Sequence, residues 1–281
     1  MRWDPRPKVR AALGSQSRAA TDRRLHELLA DPVTGGVVDA PTDVGPLLLH
    51  ADDQVITPAI QQDGRWEPSE GAWLRATVRR GDTVIDCGAN IGYFSVLASQ
   101  LVGARGRVIA VEPDRDNLTL LTHNLWRNGC ENVRVVPAAA WHERGVLSLH
   151  RSPTNTGDHR AFAPDGQALV PSVTLSELLA GQRADVVKID TQGADHHVVE
   201  GLADALGRFP GCVTLIEFWL EGMEERELDP RAILARYRAF RRPLGLLGEG
   251  GEVTPADDDT ILATAAGWEG RWVNLVLGAR G

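Results

Sequence analysis

The sequence predicts an α/β fold built on a mostly parallel sheet of seven strands with helices on both faces. Two observations carry this. From residue 83 onward, short β-branched runs alternate with helix-length amphipathic segments, a pattern that requires crossover connections and a sheet covered on both sides. Residues 81–95, GDTVIDCGANIGYFS, join a buried strand to a helix through a turn that only small residues fit.

That turn is the reference point for the rest of the chain. Thr83, Val84 and Ile85 form the strand run, and Asp86, Gly88, Ala89, Asn90 and Gly92 follow before Phe94, Val96 and Leu97 resume at helical spacing. Such a turn aims backbone N–H groups into the space above the sheet, and its glycines let a ligand approach the backbone. The spacing Asp86-x-Gly88-x-x-x-Gly92 lacks the middle glycine of a dinucleotide fingerprint and places a carboxylate where a pyrophosphate would be repelled. A nicotinamide dehydrogenase is therefore disfavoured. A carboxylate there suits an ammonium or sulfonium group instead. The next strand ends in Glu112, where an acid takes the hydroxyls of a ribose. An amino-acid end at Asp86 and a ribose at Glu112 fit S-adenosyl-L-methionine, with S-adenosyl-L-homocysteine as its product.

Three stretches, GDTVIDCGANIGYFS, VIAVEPDRDNLTLLTHNLWRNG and VVKIDTQGADHHVVEGL, together resemble the core blocks of the FkbM family of S-adenosylmethionine-dependent methyltransferases. DQVITPAIQQDGRWEPSEGAW, from Asp53 to Trp73, and TNTGDHR at 154–160 resemble segments of one branch of that family. The resemblance runs from about residue 46 to the C-terminus. It implies a Rossmann-like class I methyltransferase fold with an antiparallel last strand, and a cleft bordered by 53–73. It implies acceptors that are hydroxyl groups on sugars or secondary metabolites, in natural-product biosynthesis. Cofactor contacts are expected from Asp86, Gly88, Ala89, Asn90, Gly92, Glu112, Pro113, Asn117, Ala138, Ala139 and Asp190.

Taken in order, residues 1–45 read as an N-terminal arm with one short helix, capped by Thr21 or Asp22 ahead of Leu25, Leu28 and Leu29, and 46–281 as the methyltransferase domain. Short apolar runs from 44 to 60, broken by Asp52, Asp53 and Pro58, predict an added strand or hairpin. Pro68 opens a helix leading to Arg80. The alternation then predicts strand 83–86, helix 92–102, strand 107–111, helix 116–128 with a stripe of Leu118, Leu121 and Leu125, and strand 133–137. Small Ala138, Ala139 and Ala140 leave room for the flat adenine ring. A strand at 146–150 leads into a long polar loop, which in a compact domain marks function or disorder. Strand 185–190, helix 195–208, strand 212–219, a helix from Pro230 capped by Asp229, and strands 244–247 and 272–277 complete the pattern.

Four apolar strands end in acids: Asp86, Glu112, Asp190 and Glu217. Ligands gather at the carboxyl ends of an open parallel sheet, so this arrangement marks a site. Lys188 shares a strand face with Asp190 and is read either as a structural ion pair or as a group that orients Asp190 or a substrate oxygen. The loop Asn155, Thr156, Gly157, Asp158, His159, Arg160 is expected over the cleft, with Asn155, Asp158, His159 and Glu217 toward substrate. His159 or Asp190 is the expected base, assisted by Lys188. Gln192 and Asp195 depart from the K-I-D-x-E-G-x-E pattern of the family, and Gln192 cannot serve as a base. His196 and His197 read as a surface helix start.

Composition narrows the function classes. The net charge of −8 counts against nucleic acid as partner, because a polyanion demands a net basic face. No apolar run is long enough to span a membrane and no secretory signal is visible, so a cytoplasmic protein acting on a small hydroxylated acceptor is expected. Three separated cysteines, Cys87, Cys130 and Cys212, argue against disulfides and zinc, and no residue is assigned as a metal ligand, since no compact acidic cluster is visible. A divalent metal is not favoured. N-methylation, a non-catalytic S-adenosylmethionine-binding protein of the same fold, and a homodimer are left open.

Overall fold

In the computed structural model the described residues are 33–161 and 166–280. The helix expected near residues 21–29 lies outside them. The chain enters as a hairpin, β1 (Val37–Ala40) paired antiparallel with β2 (Leu47–His50), and continues into helices α1 (Ile56–Asp63) and α2 (Pro68–Thr77). A hairpin is present but begins earlier than expected: β1 falls within residues 1–45, read as an arm with one helix, only β2 lies in the 44–60 stretch, and a helix follows where the sequence pointed to more strand. Asp53 accepts the N–H groups of Val55 and Thr57 and so starts α1, and Pro58 falls in its first turn, where a missing N–H costs nothing.

The alternating part follows as β3 (Thr83–Cys87), α3 (Tyr93–Val102), β4 (Arg107–Glu112), α4 (Arg115–Arg127) and β5 (Val133–Pro137). Asp114 caps α4 by accepting from the N–H groups of Asp116 and Asn117. The buried face of α4 carries Leu120, Leu121 and Leu125, with Asn124 bonding both to the backbone of Leu48 and to the Ile91 carbonyl; Leu118 is only half-buried. A small second sheet comes next, from β6 (Ala139–Ala140), β7 (Gly145–His150), β8 (Arg160–Ala161) and β9 (Ala168–Val173), in the order β6-β9-β7-β8.

Helix α5 (Leu175–Leu179), held by a capping box between Thr174 and Glu177, leads to β10 (Val186–Ile189), α6 (Asp195–Arg208), β11 (Val213–Trp219), α7 (Leu220–Glu224), α8 (Pro230–Ala239), β12 (Leu244–Leu247), β13 (Val253–Pro255), α9 (Asp258–Gly267) and β14 (Trp272–Leu277). The main sheet runs β13-β12-β14-β11-β10-β3-β4-β5. Pairings from β11 through β5 are parallel and β14 is antiparallel to both its neighbours, as expected for the last strand. The expected seven strands are all there. An eighth, β13, adds to the outer edge as a hairpin partner of β12.

The sheet divides the core in two. Ile85, Cys87, Val187, Ile189 and Ile216 face α6 and α8, while Val84, Val108, Val186, Leu215 and Val276 face α2 and α3. Helix α6 buries Val198, Leu202 and Leu206 against the first face, each contributing roughly 1.5–3 kcal/mol. The strand order doubles back between β10 and β3, and the connections at the carboxyl ends part there. A cavity lies at that place.

Candidate active site

The cavity floor is the β3–α3 turn. Gly88, at φ +79°, brings its backbone so close to the Asp190 carbonyl that a Cβ would lie 1.8 Å from that oxygen. Gly88 N and Ala89 N both donate to the Val111 carbonyl, and Asn90, at φ 48°, turns its backbone N–H to the Glu112 carboxylate at 2.9 Å. The other Glu112 oxygen accepts from Asp114 N at 2.8 Å and Asn117 Nδ2 at 3.5 Å. Burial pushes Glu112 up to about 7 despite these bonds. Gly88, Ala89, Asn90, Glu112, Pro113 and Asn117 all line the cavity, and Ala139 and Ala140 close it beside them.

Three residues expected to contact the cofactor do not line the cavity. Asp86 is 2% exposed, takes the Ser95 hydroxyl at 2.6 Å, and lies beneath the floor on the α3 side of the sheet. Burial raises it to about 6 although Lys188 pulls it down. Gly92 serves packing instead: a Cβ there would meet Leu121 Cδ1 at 2.6 Å, so the glycine lets α3 start against α4. Ala138 is buried in the hydrophobic core and does not line the cavity.

The roof is the 152–160 loop. Asp53 Oδ2 accepts both the N–H and the hydroxyl of Thr156, at 2.7 and 2.9 Å, and the Thr156 carbonyl accepts from Asn117 Nδ2 at 3.2 Å. These bonds hold Asn155, Gly157 and His159 at the cavity. Burial lowers the His159 pKa. Its Nδ1 accepts the Ser152 N–H at 3.2 Å, which leaves the proton of the neutral ring on Nε2. Asp158, expected to face substrate, does not line the cavity; its carboxylate is taken by Arg160, whose guanidinium lies 4.6 Å over the Trp219 ring and also pairs with Glu225.

The remaining wall holds a buried charge cluster. Lys188, 2% exposed, reaches Asp190 Oδ2 at 2.8 Å and Glu70 Oε2 at 3.3 Å, and lies 4.5 Å over the Phe94 ring. Burial alone would lower its pKa, but Asp190, Glu70, Glu67 and Asp86 outweigh that and raise it well above the usual lysine value. Of the two readings of Lys188, the ion pair is present, and the lysine also lines the cavity, where it orients Asp190. Gln192 Nε2 donates to Asp190 Oδ1 at 2.9 Å, fixing the carboxylate from its other side. Asp195 takes the N–H groups of Thr191 and Gly193 and so shapes the 190–194 loop. Glu217 is level with Asp190 but one strand further out, opposite Asn274 of β14, and does not line the cavity. Burial, then the charge of Asp190, raises its pKa well above the carboxylate range.

Two acids the sequence reading passed over complete the cluster. Glu67, which lines the cavity, holds the left-handed conformation φ 42°, ψ 73° at the start of α2, and its Oε2 is buried without a hydrogen-bond partner. Burial and then Glu70 raise it well above the carboxylate range. Glu70 takes Asn274 Nδ2 at 2.7 Å. The segment EPSEGAW offered a signal, since acids in a first helical turn are read as partners of the helix dipole and their second role is hidden. Trp66, Ile56 and Ile60 line the cavity beside Glu67, so the 53–73 segment does border the cleft.

A protein-family model described as the Methyltransferase FkbM domain matches residues 86–236. The chain belongs to this family. The FkbM match takes in the glycine turn, Glu112, the 152–160 loop and Asp190, whereas Glu67 and Glu70 come from a helix that precedes it. Among solved structures, the methyltransferase FkbM of Methylobacillus flagellatus KT is 15% identical, with a TM-score of 0.47 over 91% of this chain and 58% of that one. A putative rRNA methylase of Clostridium thermocellum is 13% identical, with a TM-score of 0.46 over 75% of this chain and 95% of the other. The O-methyltransferase of Bacillus cereus, solved with SAH, is 13% identical, with a TM-score of 0.46 over 96% of both chains. No curated protein matches the sequence. Among the described residues, no helix is long and apolar enough to cross a membrane.

Proposed function

We propose that the chain is an S-adenosyl-L-methionine-dependent O-methyltransferase acting on a hydroxyl group of a small molecule, a sugar or a secondary metabolite. One observation carries the reading: Glu112 and Asp190 face a single cavity from either side of the Gly88 turn. Its residues fit the donor. Glu112 is an acceptor for the ribose hydroxyls, Asn90 Oδ1 is buried without a hydrogen-bond partner at the cavity wall, and Ala139 and Ala140 leave space for the adenine. With Asp86 beneath the floor, the acid that meets the donor's ammonium group is Asp190. When bound, the sulfonium donor supplies an electrophilic methyl group.

The acceptor side belongs to His159, Asn155 and Glu67. His159, with its proton on Nε2, donates a hydrogen bond to the acceptor and orients it, which takes the base role from His159 and gives it to Asp190. Asp190 is paired with Lys188 and is positioned by Gln192. With the donor held between Glu112 and Asp190, its methyl carbon would exchange the bond to sulfur for one to the acceptor's hydroxyl oxygen, and Asp190 would take the hydroxyl proton. The acid-rich wall favours a neutral or cationic acceptor over a polyanion.

The test is a labelled-methyl assay across hydroxylated small molecules with wild type and Asp190→Asn. Methyl ether should form with the wild type, and Asp190→Asn should lose roughly 10²- to 10⁴-fold in rate while binding adenosine as before. Label found only on nitrogen, or a wild-type rate in Asp190→Asn, would overturn the reading.

A further inference from the structure

Away from the cavity, on the α6 side of the sheet, a second constellation has no part in methyl transfer. His142, in the connection that follows β6, and His197, in the first turn of α6, bring their Nδ1 atoms within 3.1 Å of each other. Glu200 stands one helical turn after His197 on the same face of α6, and one ligand atom from each of the three residues lies within 4.8 Å of the others. None of the three lines the cavity. We propose that His142, His197 and Glu200 form a binding site for a divalent first-row transition-metal ion, with zinc as the reference ion.

The geometry admits an ion in place of the hydrogen bond between the two imidazoles. Two nitrogens each about 2.0–2.1 Å from a tetrahedral zinc are themselves about 3.3–3.4 Å apart, so the observed pair needs to open only slightly. Rigid surroundings hold the two rings in that relation. Trp141 N donates to the Val173 carbonyl at 2.9 Å, tying the His142 segment to β9. Gly201 lies so close to the Trp141 carbonyl that a Cβ would be 2.2 Å from it, so α6 is seated directly on that segment. The Trp141 ring stacks at 4.0 Å on His197, and the His196 ring packs at the same distance. Coordination through Nδ1 leaves Nε2 of His142 as a donor, and Glu143 Oε1 lies 3.7 Å from it, the place of the outer carboxylate that orients a ligating histidine. Both imidazoles are half-buried and Glu200 is exposed, so a fourth position is open to water. Imidazole and carboxylate ligands suit zinc, nickel or copper better than magnesium or calcium. The ion would join the segment after Ala139 and Ala140 to the helix after the 190–194 loop, two walls of the cavity.

The experiment uses tag-free full-length protein stripped with a chelator and titrated with zinc chloride by calorimetry, with cobalt as an absorption probe. One zinc per chain is expected, together with cobalt bands of low coordination number. His142→Gln and Glu200→Gln should each weaken zinc by more than the roughly 10- to 100-fold that loss of an outer-sphere partner costs. Glu200→Gln changes an exposed residue, so it decides the matter even if a histidine variant fails to fold. Absence of stoichiometric zinc binding overturns the proposal. So does zinc bound equally by wild type and Glu200→Gln, which would place it elsewhere, for instance on the acids around Lys188.

Discussion

Glu112 makes the ribose assignment measurable through pH. Burial holds its pKa at about 7, against the opposing bonds from Asp114 N, Asn90 N and Asn117. A ribose donates hydroxyl protons, so it binds the ionised carboxylate, and binding displaces whatever proton the acid carries. At pH 6 about a tenth of the protein has Glu112 ionised, and at pH 8 about nine-tenths. Affinity should therefore rise roughly tenfold between these pH values and level off above, which corresponds to about 1.4 kcal/mol. Adenosine is the right probe, because it lacks the amino acid and has no group titrating in this range. Glu112→Gln places an amide nitrogen against either the Asn90 or the Asp114 N–H, donor facing donor, and removes the charge. Loss of a hydrogen bond to a charged group, about 1.5–3 kcal/mol, means roughly 10- to 150-fold weaker binding. The variant should also show no pH slope. Calorimetric titrations at pH 6, 7 and 8 that give one affinity for wild type, or the same slope in Glu112→Gln, would refute the assignment.

Lys188→Met keeps the length of the side chain but leaves Asp190, Glu70 and Asp86 without their shared cation. A loss of roughly 3–5 kcal/mol in urea unfolding is expected at pH 8, smaller at pH 6, where Asp86 with its value of about 6 takes up a proton; a change under about 1 kcal/mol would deny the cluster its role. Gly88→Ala forces a Cβ onto the Asp190 carbonyl at φ +79°, so about 1–3 kcal/mol of stability and the adenosine affinity should fall together in thermal and binding measurements. The fold itself should weaken as pH rises from 7 to 8. Acids whose pKa is raised in the folded state, Glu112, Glu67 and Glu217, stabilise it below their unfolded values and lose that contribution as pH passes the folded ones, about 1.4 kcal/mol per pH unit for each carboxyl that stays protonated. The lowered histidines His159, His196 and His197 act only below their unfolded value and are constant in this window. Glu217→Gln should flatten the slope; an unfolding midpoint that rises with pH would contradict the sign.

Periodicity made most elements readable, because strand 272–277 and helix 195–208 each carry a full apolar face. Where that face is thin the pattern fails. Helix α9 buries only Ile261 and Ala265, and DDTILATAAG shows no stripe. Strand β9 contains Pro171, which reads as a breaker, yet it pairs with Val146 at a point that the two-residue β6 does not reach, so no ladder bond is lost on that side. His196 looked like surface and is 6% exposed, its ring packed against that of His197 at the start of α6.

The candidate site was legible in its residues and illegible in its register. Asp86 and Glu112 both read as the last residue of an apolar strand, and nothing in a one-dimensional pattern separates them. The pairing does. Cys87 is opposite Val111, so Glu112 is level with Gly88 at the cavity, while Asp86 is opposite Ala110, two rungs lower and under the floor. The same offset on the other side pairs Lys188 with Asp86 and lifts Asp190 to the level of Gly88. A shift of one strand by two residues would keep every side chain on its face and every apolar position buried, yet exchange which acid meets the ligand. Hydrophobic alternation fixes the face of each residue and leaves its height along the strand to the neighbouring chain. In this fold that height places Asp86 in the core with Lys188 and brings Glu112 and Asp190 to the cavity.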